Sequence, residues 1–240
     1  MFSPMEKALY LIPVTLGDSP WENTIPSFNR KIIEKIDYFI VESRKSAVRF
    51  LKKIVPEKDI DSCTFRELSE HTDIKEITDY LDPIADKGKS IGLLSDAGCP
   101  AVADPGSEVV LLAHRKKIRV IPLSGPSSIL MSVMASGFSG QSFSFNGYLP
   151  AKPSERESKL KILENRAYRE NQTQLFIETP YRNKKMFESI IRVMKDDTML
   201  CVASGITCQE EFIRTQKISD WKKTEFPDIE KIPTIFLIFR

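Results

Sequence analysis

Apolar residues fall in short runs along the first half of the chain, separated by longer stretches that mix apolar and charged positions. The runs 8–14, 38–42, 60–65, 90–95 and 118–123 have strand length. The segments 24–35, 44–54, 71–87 and 106–116 carry their apolar residues at helical spacing. That alternation predicts βαβ units on a parallel sheet. Gly88 between Lys87 and Lys89 reads as a helix end. Asp104 is expected to cap the next helix, with Pro105 in its first turn.

Beyond residue 123 the pattern changes. A helix is expected from 126 to about 136, with later helices at 155–169 and 183–195. Strands are expected at 143–148, 174–178, 199–203, 211–218 and 234–239. Gaps of hairpin length near the end predict a mixed sheet. The chain therefore reads as two α/β domains, residues 1–123 on a mainly parallel sheet and residues 124–240 on a mixed one.

Three turns stand out, each expected at the end of a strand. They read Val14-Thr-Leu-Gly-Asp18, Asp96-Ala-Gly-Cys99 and Ser124-Gly-Pro-Ser-Ser-Ile129. In open α/β sheets ligands bind at the carboxyl ends of strands. Glycine lets a backbone approach a ligand closely, and the amides that open a helix contact polar groups. Tight turning alone would account for any one of these loops. Three at successive strand ends point to a small polar ligand, a cofactor, near the boundary at residue 124.

Composition narrows the picture. A hydrophobic content of 41% over 240 residues is enough for a real core. The net charge of +2 selects no partner by itself. No apolar run approaches the roughly 20 residues of a membrane span, and the start of the chain lacks the pattern of a signal peptide. Cys63, Cys99, Cys201 and Cys208 show no CxxC spacing, and only His71 and His114 accompany them. No metal site is expected, and reduced thiols suit a cytoplasmic protein. Gly-x-Gly-x-x-Gly, a Walker loop and Gly-x-Ser-x-Gly are all absent. Cys99 is expected to pack rather than to act as a nucleophile.

Leu9-Tyr-Leu-Ile-Pro13, Leu16-Gly-Asp18, Leu94-Ser-Asp-Ala-Gly98, Asp104-Pro-Gly106, Pro122-Leu-Ser-Gly-Pro-Ser127 and Gly147-Tyr-Leu-Pro-Ala-Lys152 together resemble the tetrapyrrole methylase superfamily. Within it they are most similar to the ribosomal RNA small-subunit methyltransferase I group. Phe176-Ile-Glu-Thr-Pro-Tyr-Arg182 and Leu68-Ser-Glu-His71 resemble further segments of that group. The resemblance runs in order along nearly the whole chain. It implies a homodimeric methyltransferase that uses S-adenosyl-L-methionine, folded into a cleft between two α/β domains. It implies cofactor contacts from Leu16, from Asp96, Ala97, Gly98 and Cys99, and from Ser127, Ser128 and Ile129. Glu178 and Thr234 lie on the matching segments of the second domain. The group implies 2′-O-methylation of a cytidine ribose in small-subunit ribosomal RNA. Where the group has Ala-Glu-Asp-Thr-Arg after the second strand, this chain has Val41-Glu-Ser-Arg-Lys45, and Ser69 replaces a histidine.

Methyl transfer from a sulfonium to a ribose hydroxyl needs alignment and a base. Glu42, at the end of the second strand, is the candidate base; a helix cap or an ion pair with Arg44 is the alternative reading. His71 is a weaker candidate. Residues 44–53 hold five cations and no acid, and residues 181–195 hold five against one. Arg44, Arg182, Lys184 and Lys185 are candidate contacts to ribosomal RNA or the small ribosomal subunit. Solvated helix faces are the other reading of those stretches. Two further functions fit the same fold: methylation of a corrin or porphyrin carbon, and a catalytically silent RNA-binding relative.

Overall fold

The computed structural model describes residues 7–69, 72 and 74–240. Contacts within the chain divide it into two units, Met1–Ser127 and Ser128–Arg240.

The first unit runs β1 (Leu9–Leu11), α1 (Ser27–Ile33), β2 (Tyr38–Val41), α2 (Arg44–Ile54), β3 (Thr64–Glu67), α3 (Ile74–Thr78), α4 (Asp82–Lys87), β4 (Ile91–Leu94), α5 (Ser107–Arg115) and β5 (Val120–Pro122). Its five strands pair in the order β3-β2-β4-β1-β5, all parallel. Side chains alternate between the two faces of a strand. Tyr10, Phe39, Val41 and Leu94 join one core with Ile33 of α1 and Phe50, Leu51 and Ile54 of α2. Leu9, Tyr38, Ile40, Ile91 and Leu93 join another with Ile84, Val109 and Ala113. Both faces of β1, β2 and β4 are covered, which is why these three strands read as unbroken apolar runs. Trp21, partly buried, packs against the first of these cores.

Three expectations shift here. Within the expected helix 71–87, the described residues from 74 on form two short helices with a tight turn at Asp79–Leu81 between them. Pro83 lacks the N–H that a continuous helix needs, so it sits in the first turn of α4. The third strand begins at Thr64 rather than at 60, because Asp59 holds residues 61 and 62 in a turn: its Oδ1 accepts from the Asp61 N–H and its carbonyl from the Ser62 hydroxyl. Asp104 does not cap α5. Gly106 occupies the cap at φ 133°, where no side chain closes the helix, and Pro105 lies outside it.

The second unit runs α6 (Ser128–Ser136), β6 (Phe143–Tyr148), α7 (Pro153–Glu170), β7 (Thr173–Glu178), α8 (Asn183–Val193), β8 (Met199–Ser204), β9 (Phe212–Lys217), α9 (Ile218–Trp221) and β10 (Thr234–Phe239). Its strand order is β6-β7-β10-β8-β9. Only β6 and β7 are parallel; the other pairs are antiparallel, so the sheet is mixed as expected. Leu160 and Leu163 of α7, Met186, Phe187 and Ile190 of α8 and the sheet residues Phe176, Val202 and Phe236 form its core. Trp221 is 1% exposed there, its indole N–H donating to the Leu200 carbonyl at 3.1 Å.

Candidate active site

Because the first sheet is wholly parallel, the carboxyl ends of all its strands share one edge. Two of the three predicted turns are stitched together there. Val14, just past β1, donates its N–H to the Gly98 carbonyl past β4 at 2.9 Å, in an isolated antiparallel bridge. Gly98 has φ 73°, and a Cβ on it would stand 3.0 Å from Leu16 Cδ2 and 3.4 Å from the Pro126 carbonyl. The third turn is drawn in as well. The Cys99 thiol donates to the Pro126 carbonyl at 3.4 Å, and Asn29 Nδ2 to the Ser124 carbonyl at 2.8 Å. A Cβ on Gly125 would lie 2.2 Å from Pro13 Cγ, so only glycine permits that approach. Leu16, Asp96, Ala97, Gly98 and Cys99 are thus neighbours along one edge. Burial pushes the Cys99 thiol above its ordinary value, which fits packing and not a thiolate.

Glu42 follows β2 at the same edge. Ser43, not Glu42, caps α2, its Oγ accepting from the Ser46 N–H at 3.4 Å. The Glu42 carboxylate turns to the β4 turn instead and accepts the Asp96 N–H at 3.1 Å on Oε2. Burial pushes its pKa up; the Asp96 N–H opposes that rise, and the Asp96 charge adds to it. A third carboxyl belongs to this group. Asp104 is pushed up to about 6, chiefly by burial, then by Glu42, with Asp96 adding a smaller push; a hydroxyl hydrogen bond from Ser95 pulls the other way. In the sequence Asp104 stands out only for its place before proline and glycine.

Beside this edge lies a cavity of about 450 Å³ lined by the first turn, Ser95 and Asp96, and by Ser46, Arg49, Phe50 and Lys53 of α2. Arg44 stands exposed at the start of α2, its guanidinium 5.4 Å from the Phe65 ring centroid and its N–H donating to Glu67. His71 lies outside the described residues.

Ser127 ends the first unit, and Ser128 and Ile129 open α6 in the second. In the second unit Glu178 and Thr234 face each other in register at one end of the sheet. Thr234 Oγ1 lies 2.9 Å from Ser204 Oγ and accepts from Asn183 Nδ2 at 3.1 Å. Glu178 is buried, and its Oε1 accepts the Thr179 N–H at 2.7 Å and Arg182 Nε at 3.0 Å. Its Oε2 is buried with no hydrogen-bond partner among the described residues. Arg182 is therefore engaged with Glu178. Lys184 and Lys185 stand exposed on α8, with the Lys184 ammonium 5.9 Å from the Phe226 centroid.

Among the described residues no cluster of His, Cys, Asp and Glu is fit to hold a metal, and no helix is long and apolar enough to cross a membrane. The arrangement is an α/β strand edge of clustered turns with a group of three carboxylates, Glu42, Asp96 and Asp104, beside it.

The fold matches that of the methyltransferase CobJ, with a TM-score of 0.63 over 97% of this chain and 94% of that one, at 15% identity. No protein-family model matches the chain. Curated relatives carry the name ribosomal RNA small subunit methyltransferase I, three of them as follows. That of Thermotoga maritima is 30% identical over 196 residues, covering 80% of this chain and 83% of its own. That of Halalkalibacterium halodurans is 31% identical over 215 residues, covering 86% and 67%. That of Vibrio cholerae is 28% identical over 212 residues, covering 88% and 69%. The chain shares the fold of CobJ and is a methyltransferase. It belongs to the ribosomal RNA small subunit methyltransferase I family.

Proposed function

We propose that the protein uses S-adenosyl-L-methionine to methylate the 2′-oxygen of a cytidine ribose in small-subunit ribosomal RNA. The names of its relatives support small-subunit ribosomal RNA as the acceptor; the cytidine 2′-oxygen follows from the family resemblance of its motifs. The observation that carries the chemistry is Glu42, a carboxylate of raised pKa tied by one hydrogen bond to the Asp96 turn.

The residues at hand fit such a cofactor. Gly98 leaves open backbone where a side chain would crowd Leu16, and the buried Oε2 of Glu178 lacks a donor that a hydroxyl or ammonium of the cofactor would supply. When bound, S-adenosyl-L-methionine supplies a methyl group on a positively charged sulfur. Leu16 and residues 96–99 would contact it in the first unit, with Ser127; Ser128, Ile129, Glu178 and Thr234 would do so from the second. Glu42 accepts the proton of the attacking hydroxyl, and a raised pKa makes it a stronger base than an exposed carboxylate. The Asp96 N–H fixes the direction of that carboxylate.

Arg44, Lys184 and Lys185 would contact RNA phosphates. A cytoplasmic homodimer completes the reading. Leu130 and Met134, four residues apart on α6, are 54% and 81% exposed, an apolar strip that a second copy would cover. Light scattering should then return about 55 kDa, twice the 27.4 kDa chain, and a monomer mass would remove the dimer from the reading.

The test is transfer of labelled methyl groups from S-adenosyl-L-methionine to small ribosomal subunits, with the product digested and its nucleosides resolved by mass. A 2′-O-methylcytidine is the expected product. Label that resists ribonuclease and appears on a tetrapyrrole would overturn the RNA acceptor, and no transfer to any acceptor would overturn the enzyme reading.

A further inference from the structure

We propose that the cavity between α2 and the turn after β1 reads a backbone phosphate of the acceptor strand, with Arg49 and Lys53 holding the phosphate in place of the Asp18 carboxylate. The proposal rests on RNA being the acceptor.

Ser46, Arg49 and Lys53 recur at spacings of three and four, so they form one stripe of α2 and line the cavity together. Val14 and Phe50, 4% and 7% exposed, give it an apolar floor. Thr15, Asp18 and Asp96 complete the polar rim. At about 450 Å³ it falls in the range of small-molecule pockets and has room for a nucleotide.

Within that rim one anion already sits against the cations. Lys53 Nζ meets Asp18 Oδ1 at 2.9 Å. Lys53 first, and then Arg49, hold the Asp18 carboxyl below its ordinary value. Yet the Asp18 side chain is fully exposed, on a turn, with no hydrogen bond besides that to Lys53 among the described residues. An exposed pair of this kind adds little to stability and exchanges readily. A phosphodiester carries the same charge with two free oxygens, and a guanidinium grips such oxygens as a fork. The cavity wall continues to Ser95 and Asp96, and Asp96 holds Glu42. A strand anchored at Arg49 and Lys53 therefore passes along the turn that orients the candidate base. Asp18 acts as a resident competitor, so a strand that engages both cations displaces it while weaker anions do not.

The test uses the full chain with small ribosomal subunits as the RNA probe, by filter binding across a salt series. S-adenosyl-L-methionine is titrated by calorimetry in parallel. Arg49→Gln/Lys53→Gln should weaken RNA binding about tenfold or more near 0.1 M salt and lower the salt slope by roughly 0.7 per lost phosphate. Asp18→Asn should tighten RNA binding roughly two- to fivefold, by removing the competing charge. Cofactor heats should not change in either variant. Asp18→Asn gives the opposite sign, so a merely unfolded double variant cannot imitate the expected pair of results. Unchanged RNA affinity in the double variant, or weaker affinity in Asp18→Asn, overturns the site while leaving RNA as the acceptor. A matching loss of cofactor affinity would assign the two cations to a carboxylate of the cofactor instead. If the native protein binds no RNA at any salt, the acceptor reading falls, and the site with it.

Discussion

Arg182→Gln tests how the second unit keeps a carboxylate inside itself. The Glu178 side chain is 0% exposed. Arg182 reaches its Oε1 with Nε at 3.0 Å and Nη2 at 2.6 Å, and the Thr179 N–H adds a bond at 2.7 Å. Removing the arginine leaves a buried charge with one donor. Breaking a buried pair from one side costs about 3–5 kcal/mol. Arg182 is 34% exposed, so water screens the pair and replaces part of what is lost. The expected cost is therefore about 2–3 kcal/mol. Glu178→Gln removes the charge that needs the partner, so Arg182→Gln in that background should cost under about 1 kcal/mol. Urea unfolding of the four proteins, followed by far-ultraviolet circular dichroism at constant slope, gives the cycle directly. Equal costs of Arg182→Gln with and without Glu178 would refute the coupling. A single-variant cost near zero would show that the pair is a surface ornament of the fold.

Other outcomes follow from the first unit. Glu42→Gln should slow methyl transfer roughly 10²-fold with both affinities kept. The native pH–rate profile should rise through an ionisation above the ordinary carboxylate value, and that inflection should vanish in the variant; an unaltered profile would acquit Glu42. Asp104→Asn should stabilise the protein at pH 8 and change little at pH 4. A carboxyl raised from 3.8 to about 6 opposes folding only where it must ionise, an effect absent below the lower value and complete above the upper one. The shift corresponds to about 3 kcal/mol, which water at a half-buried group screens to about 1–2; chemical denaturation at both pH values reads the difference, and an equal effect at both refutes it. Asp96→Ala and Ser128→Ala should each weaken S-adenosyl-L-methionine binding by roughly 0.5–3 kcal/mol in calorimetry. If melting temperatures fall in proportion, those turns are structural only.

Legibility in the sequence tracked how local the cause was. The helix 44–54 is legible to the residue, since the apolar stripe that defines it lies within it; its cap is not, for Ser43 and not Glu42 closes it. The strand Thr234–Phe239 was likewise set by an apolar run between polar ends. The parallel and mixed sheets followed from spacing. The edge strand β3 did not, because its residues are mostly exposed and its start depends on the bonds of Asp59. In the first unit, the clustering of turns was visible as repeated glycine and proline. Which groups bond across that edge was not: the Glu42–Asp96 contact spans 54 positions, and nothing local announces it. Asp104 reads as a cap because Asp-Pro-Gly is a cap-like string; its carboxyl is perturbed first by burial and then by Glu42 and Asp96, all of which only the folded sheet brings about. Arg49 and Lys53 were counted among five cations of one helix, and their shared face with the cavity emerged only once the β1 turn was in place.

The chain holds two tryptophans, and the fold assigns one to each unit. Trp221 is sealed, edge-on to Phe187 with ring centroids 5.4 Å apart, whereas Trp21 retains contact with water. Their emission should therefore differ in colour, the sealed indole bluer than the wetted one. Trp21→Phe leaves a fluorophore that reports the second unit alone, and Trp221→Phe leaves one that reports the first. The protein thus carries its own pair of optical channels, by which melting, or the tightening brought by a bound cofactor, can be assigned to one unit or the other without any added label.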